Sequence, residues 1–130
     1  MFERHKSRFV RNVPERLEEF LGDCPDRRPG PTLQLSVRHE GRLLAASYLS
    51  LGAQSCSSVY AIFDPDESRR RLGIFTMLVE LEYARRRGLN YYYSGYATLE
   101  SSCYDYKREF SALSFYDWGT GWRLGEEMSR

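Results

Sequence analysis

Ser58-Val59-Tyr60-Ala61-Ile62-Phe63 runs into Asp64-Pro65-Asp66, then into an apolar stretch from Leu72 to Gly88, then into Tyr91-Tyr92-Tyr93-Ser94-Gly95-Tyr96. This succession reads strand, helix, strand. The first strand stops at Asp64-Pro65 because proline has no N–H for a sheet ladder. Leu72, Ile74, Phe75, Met77, Leu78, Val79, Leu81 and Ala84 cover more than one helix face, the pattern of a helix buried against a sheet. Arg85, Arg86 and Arg87 suit its C-terminal dipole, and Gly88 suits its end. Asp66, Glu67 and Ser68 are expected to cap its start. A strand–helix–strand step places the two strands parallel, joined by a right-handed crossover.

Upstream, Leu33 to Arg38 alternates apolar and polar, Glu40-Gly41-Arg42 is a turn, and Leu43 to Leu51 is a second strand, together an antiparallel hairpin. Gly52 to Cys56 is read as a polar connection. The spacing of Phe9, Val10, Val13, Leu17, Phe20 and Leu21 predicts helix over residues 1–21, interrupted at Pro14. Gly22 to Pro31 is a loop. Downstream, Glu100 to Arg108 is a short helix or irregular loop, and Glu109 to Trp118 is a last strand, with a frayed end after Gly119. The expected fold class is α/β (α+β), a mixed, mostly antiparallel sheet flanked by helices, and it looks like the GNAT acyltransferase fold.

The chain has 130 residues, 42% hydrophobic and 28% charged, the profile of one ordinary globular domain over 1–130. Nineteen basic and 18 acidic side chains leave a net charge of +1, which excludes the global basic field of nonspecific nucleic-acid binding. Cys24, Cys56 and Cys103 form no C-x-x-C pair, so no metal site is expected, and they read as reduced thiols of a cytoplasmic protein. The start, Met1 to Lys6, lacks a signal-peptide core, and no stretch approaches the roughly 20 apolar residues of a membrane span. His5 and His39 are isolated and read as surface residues.

Several short pieces stand in a telling order: Ser58-Val59-Tyr60, Phe63-Asp64-Pro65-Asp66, Arg70-Arg71-Leu72-Gly73, Glu80-Leu81-Glu82-Tyr83-Ala84-Arg85, Gly88-Leu89, Tyr91 to Tyr96, and Tyr106-Lys107. Together they resemble the C-terminal domain of the arginyl-tRNA–protein transferase family, including its bacterial leucyl-tRNA-using forms. The resemblance is tightest over residues 57–110, with a family-like core of about 33–118. It implies transfer of an amino acid, Arg or Leu, from charged tRNA to the N-terminal amine of a protein, marking that protein for degradation. The implied partners are the 3′ end of aminoacyl-tRNA and a protein or peptide N-terminus, with no membrane and no required cofactor. The family carries an upstream cysteine-rich domain, so a separate partner is expected to supply it. Where the family has a Pro and a Glu after Tyr-Lys, this chain has Ala112 and Ser114, and Cys103-Tyr104 replace its Lys-Met.

The candidate donor site is Arg70, Arg71, Leu72 and Gly73, at a helix start where free N–H groups and the dipole attract phosphate. A coenzyme A loop of the pattern Q/R-x-x-G-x-G/A would need a small residue where Phe75 stands, which speaks for a tRNA end over acetyl-CoA. A solvated basic turn is the other reading of these arginines. Tyr60, Asp64, Gly95 and Tyr96 are the candidate cleft, with Gly95 permitting a bulge and Tyr96 beside it for stacking. Tyr91 to Tyr93 read as aromatic core packing, with Tyr92 on the face opposite Tyr91 and Tyr93. Glu80 is either a general base raised by apolar neighbours or a buried structural carboxylate. Tyr106 is the candidate general acid, and Lys107 the candidate ligand for a phosphate or an acidic acceptor. Two rival functions stay open: a GNAT N-acyltransferase using acetyl-CoA, and a noncatalytic binding module derived from this domain.

Overall fold

The computed structural model describes residues 1–9, 13–25, 30–97, 102 and 104–125. They fall into two compact units, Met1–Gly95 and Tyr96–Arg130.

The first unit holds a four-stranded mixed sheet in the order β1-β2-β3-β4: β1 (Thr32–His39), β2 (Arg42–Leu51), β3 (Ser55–Phe63) and β4 (Tyr91–Tyr93). The first three strands pair antiparallel. Between β1 and β2 the turn is only Glu40-Gly41, both at positive φ, the two-residue geometry whose twist matches a hairpin. The expected polar connection at Gly52–Cys56 is shorter than the sequence reading: Gly52 N–H donates to Ser55 O at 2.8 Å, and Ser55 and Cys56 already belong to β3. Cys56 goes into the strand because it is buried against Leu49 and Ala84.

Helix α3 (Leu72–Arg86) crosses from β3 to β4, which pair parallel. It packs on the sheet through two clusters, Leu72 with Leu44 and Ala45, and Ala84 with Leu49 and Cys56. Its C-terminus closes with paired backbone bonds. Gly88 N–H donates to Arg85 O and Leu89 N–H to Ala84 O, with Gly88 at φ +66° and Leu89 packed into the Ala84 cluster. Its N-terminus differs from the expected cap. Asp66, Glu67 and Ser68 lie instead in a 3-10 helix, Pro65–Arg70, capped by the Asp64 carboxylate. Proline at the first position of that helix favours the tighter turn, and α3 restarts only after Arg71, which takes the left-handed conformation at φ +49°.

The helix expected over residues 1–21 is two short ones, α1 (Phe2–Lys6) and α2 (Glu18–Leu21). Pro14 removes a donor and disfavours helix at Val13, so the described residues between them stay irregular. The two helices meet β3, where Phe20 stacks on Tyr60 at 4.0 Å between ring centroids.

β3 carries one extra residue. Ser58 pairs with Leu49 and Tyr60 with Tyr48, leaving Val59 unmatched. An extra residue reverses which face the following side chains take. Ser58 therefore meets α3, while Tyr60 turns to α2.

In the second unit, a 3-10 helix spans Asp105–Glu109, and β5 (Ser114–Asp117) pairs antiparallel with β6 (Gly121–Leu124). The segment read as a frayed end is thus half of a hairpin. Its turn is closed by the Asp117 carboxylate, which accepts from the Gly119 and Thr120 N–H groups.

Gly88 sits at a positive φ with open space around its missing Cβ. Gly88→Ala should therefore cost about 1 kcal/mol in urea unfolding through backbone strain alone, and Gly88→Asn distinctly less.

Candidate functional site

The β3–α3 connection concentrates charge. Asp64 is buried, and its carboxylate accepts from the Asp66 N–H at 3.1 Å and from Arg4 at 2.9 Å, with Arg42 at 3.7 Å. Arg4 also reaches Asp66, and Arg42 reaches Glu67. Glu67 in turn holds Arg70 at 2.7 Å, and the Arg70 bond, more than any other effect, pulls the Glu67 carboxyl below its usual range. Arg69, Arg70 and Arg71 are all exposed at the end of this network.

At the start of α3, Ile74 and Phe75 both donate to Arg71 O, at 3.0 Å each. The N–H groups of Leu72 and Gly73 make no backbone hydrogen bond among the described residues. Two donors at the positive end of a 15-residue helix, beside three arginines, form a local field that favours an anion. The Leu72 side chain points into the core, so only its backbone serves such a site. Phe75 is 46% exposed one turn further on.

The predicted residues are divided between the two units. Tyr60 packs in an aromatic group with Phe2, His5 and Phe20, turned there by the extra residue Val59. Asp64 is the hub of the ion network, and Arg70 joins it through Glu67 and Arg42. Gly95 has φ +80°, a conformation that suits glycine, just after β4 ends. In the second unit Lys107 is buried, donates to the Tyr96 carbonyl at 2.8 Å, and lies 5.0 Å from the Tyr104 ring centroid. Tyr96 is exposed, and Tyr106 is half-buried in the same 3-10 helix as Lys107. Cys103 lies outside the described residues.

Glu80 is fully buried in the middle of α3, under β3 and β4. It accepts from Tyr92 Oη at 2.5 Å and from Ser58 Oγ at 3.3 Å. Burial, then the Glu80 charge, pushes the Tyr92 hydroxyl pKa far up, so the phenol stays a donor. The same two causes, in the same order, raise the Cys56 thiol beside it. Tyr91 and Tyr93, expected in the core with Tyr92, are exposed instead. β4 is an edge strand, and its side chains alternate, so only Tyr92 faces α3.

Residues 1–117 match the family described as Arginine-tRNA-protein transferase, C terminus. The chain belongs to this family. Among curated relatives, an aspartate/glutamate leucyltransferase of Acinetobacter baumannii (strain ATCC 17978) is 34% identical over 116 residues, covering 88% of this chain and 41% of that protein. One from Acinetobacter baylyi is 36% identical over 96 residues, 74% of this chain and 35% of the relative. A third, from Stenotrophomonas maltophilia (strain K279a), is 40% identical over 87 residues, 65% of this chain and 34% of the relative. The chain thus spans about two-fifths or less of the length of these relatives.

Sequence reading missed four contributors. His5, taken for a surface residue, is buried because α1 folds back onto β3. Arg4 and Arg42 are 60 and 22 residues from Asp64, separations at which no local pattern reports a contact. Ser58 was visible only as a strand residue. Among the described residues no cluster of three or more His, Cys, Asp or Glu is arranged to hold a metal.

Glu80 and Tyr92 should be coupled in stability. Tyr92→Phe removes one of the donors to this buried carboxylate and should cost about 1–3 kcal/mol in denaturant unfolding. Glu80→Gln combined with Tyr92→Phe should cost clearly less than the sum of the two single changes, the signature of a direct contact in a double-mutant cycle.

Proposed function

We propose that this chain is the catalytic portion of an aminoacyl-tRNA–protein transferase, which moves Leu or Arg from charged tRNA to the N-terminal amine of an acceptor protein. The supporting observation is the start of α3, with two N–H groups lacking backbone acceptors and exposed arginines before it, in a chain of this family. Phosphates of the single-stranded tRNA end suit that field. The net charge of +1 fits a protein that grips a few phosphates locally.

In the reaction the acceptor amine attacks the carbonyl carbon of the aminoacyl ester. The new C–N bond forms, the ester C–O bond breaks, and the ribose oxygen leaves with a proton. Arg70, Arg71 and the backbone of Leu72 and Gly73 bind phosphate in this reading. Tyr106 is the proposed proton donor to the leaving oxygen. Lys107 supports Tyr96 through its backbone carbonyl, and Tyr96 offers a ring for stacking. Glu80 is assigned to the core, where Tyr92 and Ser58 already occupy its oxygens. No dissociable cofactor is needed, because the activated ester carries the driving force.

The names of the relatives, aspartate/glutamate leucyltransferases, support acceptors starting with Asp or Glu. Acceptor recognition falls to protein corresponding to the rest of the relatives' length. These substrates place the reaction in the cytoplasm. No helix among the described residues is long and apolar enough to cross a membrane.

The test is a transfer assay with leucyl- and arginyl-tRNA on peptides beginning with Asp or Glu, alongside binding of the charged tRNA. Arg70→Ala with Arg71→Ala should weaken tRNA binding about tenfold and flatten its salt dependence by one to two counterions. Thermal protection by millimolar coenzyme A, with no binding of charged tRNA, would overturn this assignment in favour of acetyl transfer.

A further inference from the structure

The N-terminal helix makes contacts that the proposed chemistry does not use. Asp64 N–H donates to Leu44 O on β2 at 2.8 Å. Bonded pairs alternate along an antiparallel ladder, so Phe63, one residue earlier, turns its backbone away from β2. Pairing of β3 with β4 ends at Ser57, well before Phe63. The outward Phe63 N–H is met by a side chain: it donates to His5 Nδ1 at 3.2 Å. His5 is 2% exposed, among the rings of Phe63, Phe9 and Tyr60 at 4.5, 5.5 and 6.1 Å between centroids. The neighbouring Arg4 holds Asp64 and Asp66 at the beginning of the 3-10 helix.

We infer that α1 is a proton-released clasp: neutral His5 locks it onto the outer edge of β3, and protonation of the ring opens it, freeing the turn that Arg4 holds at Asp64 and Asp66. The geometry dictates the direction. An accepting Nδ1 places the ring proton on Nε2. A second proton would set an Nδ1–H donor against the Phe63 N–H donor and a charge among three aromatic rings.

The surrounding charges reinforce this. From its own segment the charge acting on His5 is the cation Arg8, whose guanidinium lies 4.4 Å from the Phe63 ring centroid. From β3 it faces the neutral phenol of Tyr60, and from α2 only the Phe20 ring stacked on that phenol. The nearby carboxylates that would welcome a positive imidazole are engaged: Asp64 by Arg4 and Arg42, Asp66 by Arg4. Burial first, and then Arg8, lowers the ring's pKa from 6.5 to about 4. The released helix returns His5 to water and its ordinary value. Between those values the open form binds more protons. The closed form is therefore fully favoured above about pH 6.5 and is lost as pH falls toward 4.

Native-state hydrogen exchange on the whole chain tests the clasp, independently of any substrate. The protection factor of the Phe63 amide should fall roughly tenfold or more between pH 7 and pH 5, while the Leu49 and Ala84 amides keep theirs. His5→Asn retains an accepting oxygen that does not titrate and should hold Phe63 protected throughout that range. Arg4→Ala should lower Phe63 protection at every pH. A flat wild-type profile, or the same acid loss in His5→Asn, overturns the clasp. Should His5→Asn fold poorly, an NMR titration of the wild type decides. A His5 midpoint well below 6.5, with the Phe63 amide shifting in step, supports the clasp; a His5 midpoint near 6.5 overturns it.

Discussion

The structure of the first unit depends on a short parallel pairing, Ser55–Ser57 against Tyr91–Tyr93. Three residues of ladder are little to hold two strands together. What secures them is the helix that joins them. α3 must lie across the sheet to make a right-handed crossover, and it brings Glu80 beneath both strands. Tyr92 from β4 and Ser58 from β3 then donate to one carboxylate. A buried carboxylate is costly unless its oxygens are bonded, so this contact specifies where β4 must sit as much as it stabilises it.

Everything at the other end of α3 follows from where that helix can begin. Pro65 tightens the chain into a 3-10 turn, Arg71 absorbs the change of direction in a left-handed conformation, and α3 opens with N–H groups unsatisfied by backbone. The arginines of this turn do not stand alone. Arg4, Arg42 and Arg70 alternate with Asp64, Asp66 and Glu67, so the charges of these six side chains balance. A balanced network holds the turn in one shape without making the whole surface basic, which accords with a chain of net charge +1. The contacts of α1 belong to the same arrangement, because Arg4 and His5 act on adjacent residues, Asp64 and Phe63.

Much of this was readable in the amino-acid order. The hairpin of β1 and β2, the parallel crossover and the length of α3 follow from alternation, from a broad apolar helix pattern and from Gly41 and Gly88 at the turns. Local periodicity reports these features because neighbours in sequence create them. The family, too, was legible, since its motifs lie in one ordered run.

Tertiary structure alone decided the rest. Which donors Glu80 meets depended on Tyr92 and Ser58 arriving from two strands, and whether His5 was exposed depended on a helix folding back across more than fifty residues. The face taken by Tyr60 depended on a single unmatched residue, Val59, which alternation cannot reveal because an extra residue inverts it. Local sequence determines which elements form. Burial and charge pairing between distant elements determine what each polar side chain is able to do, because desolvation and partner distance, not residue type, set its energy.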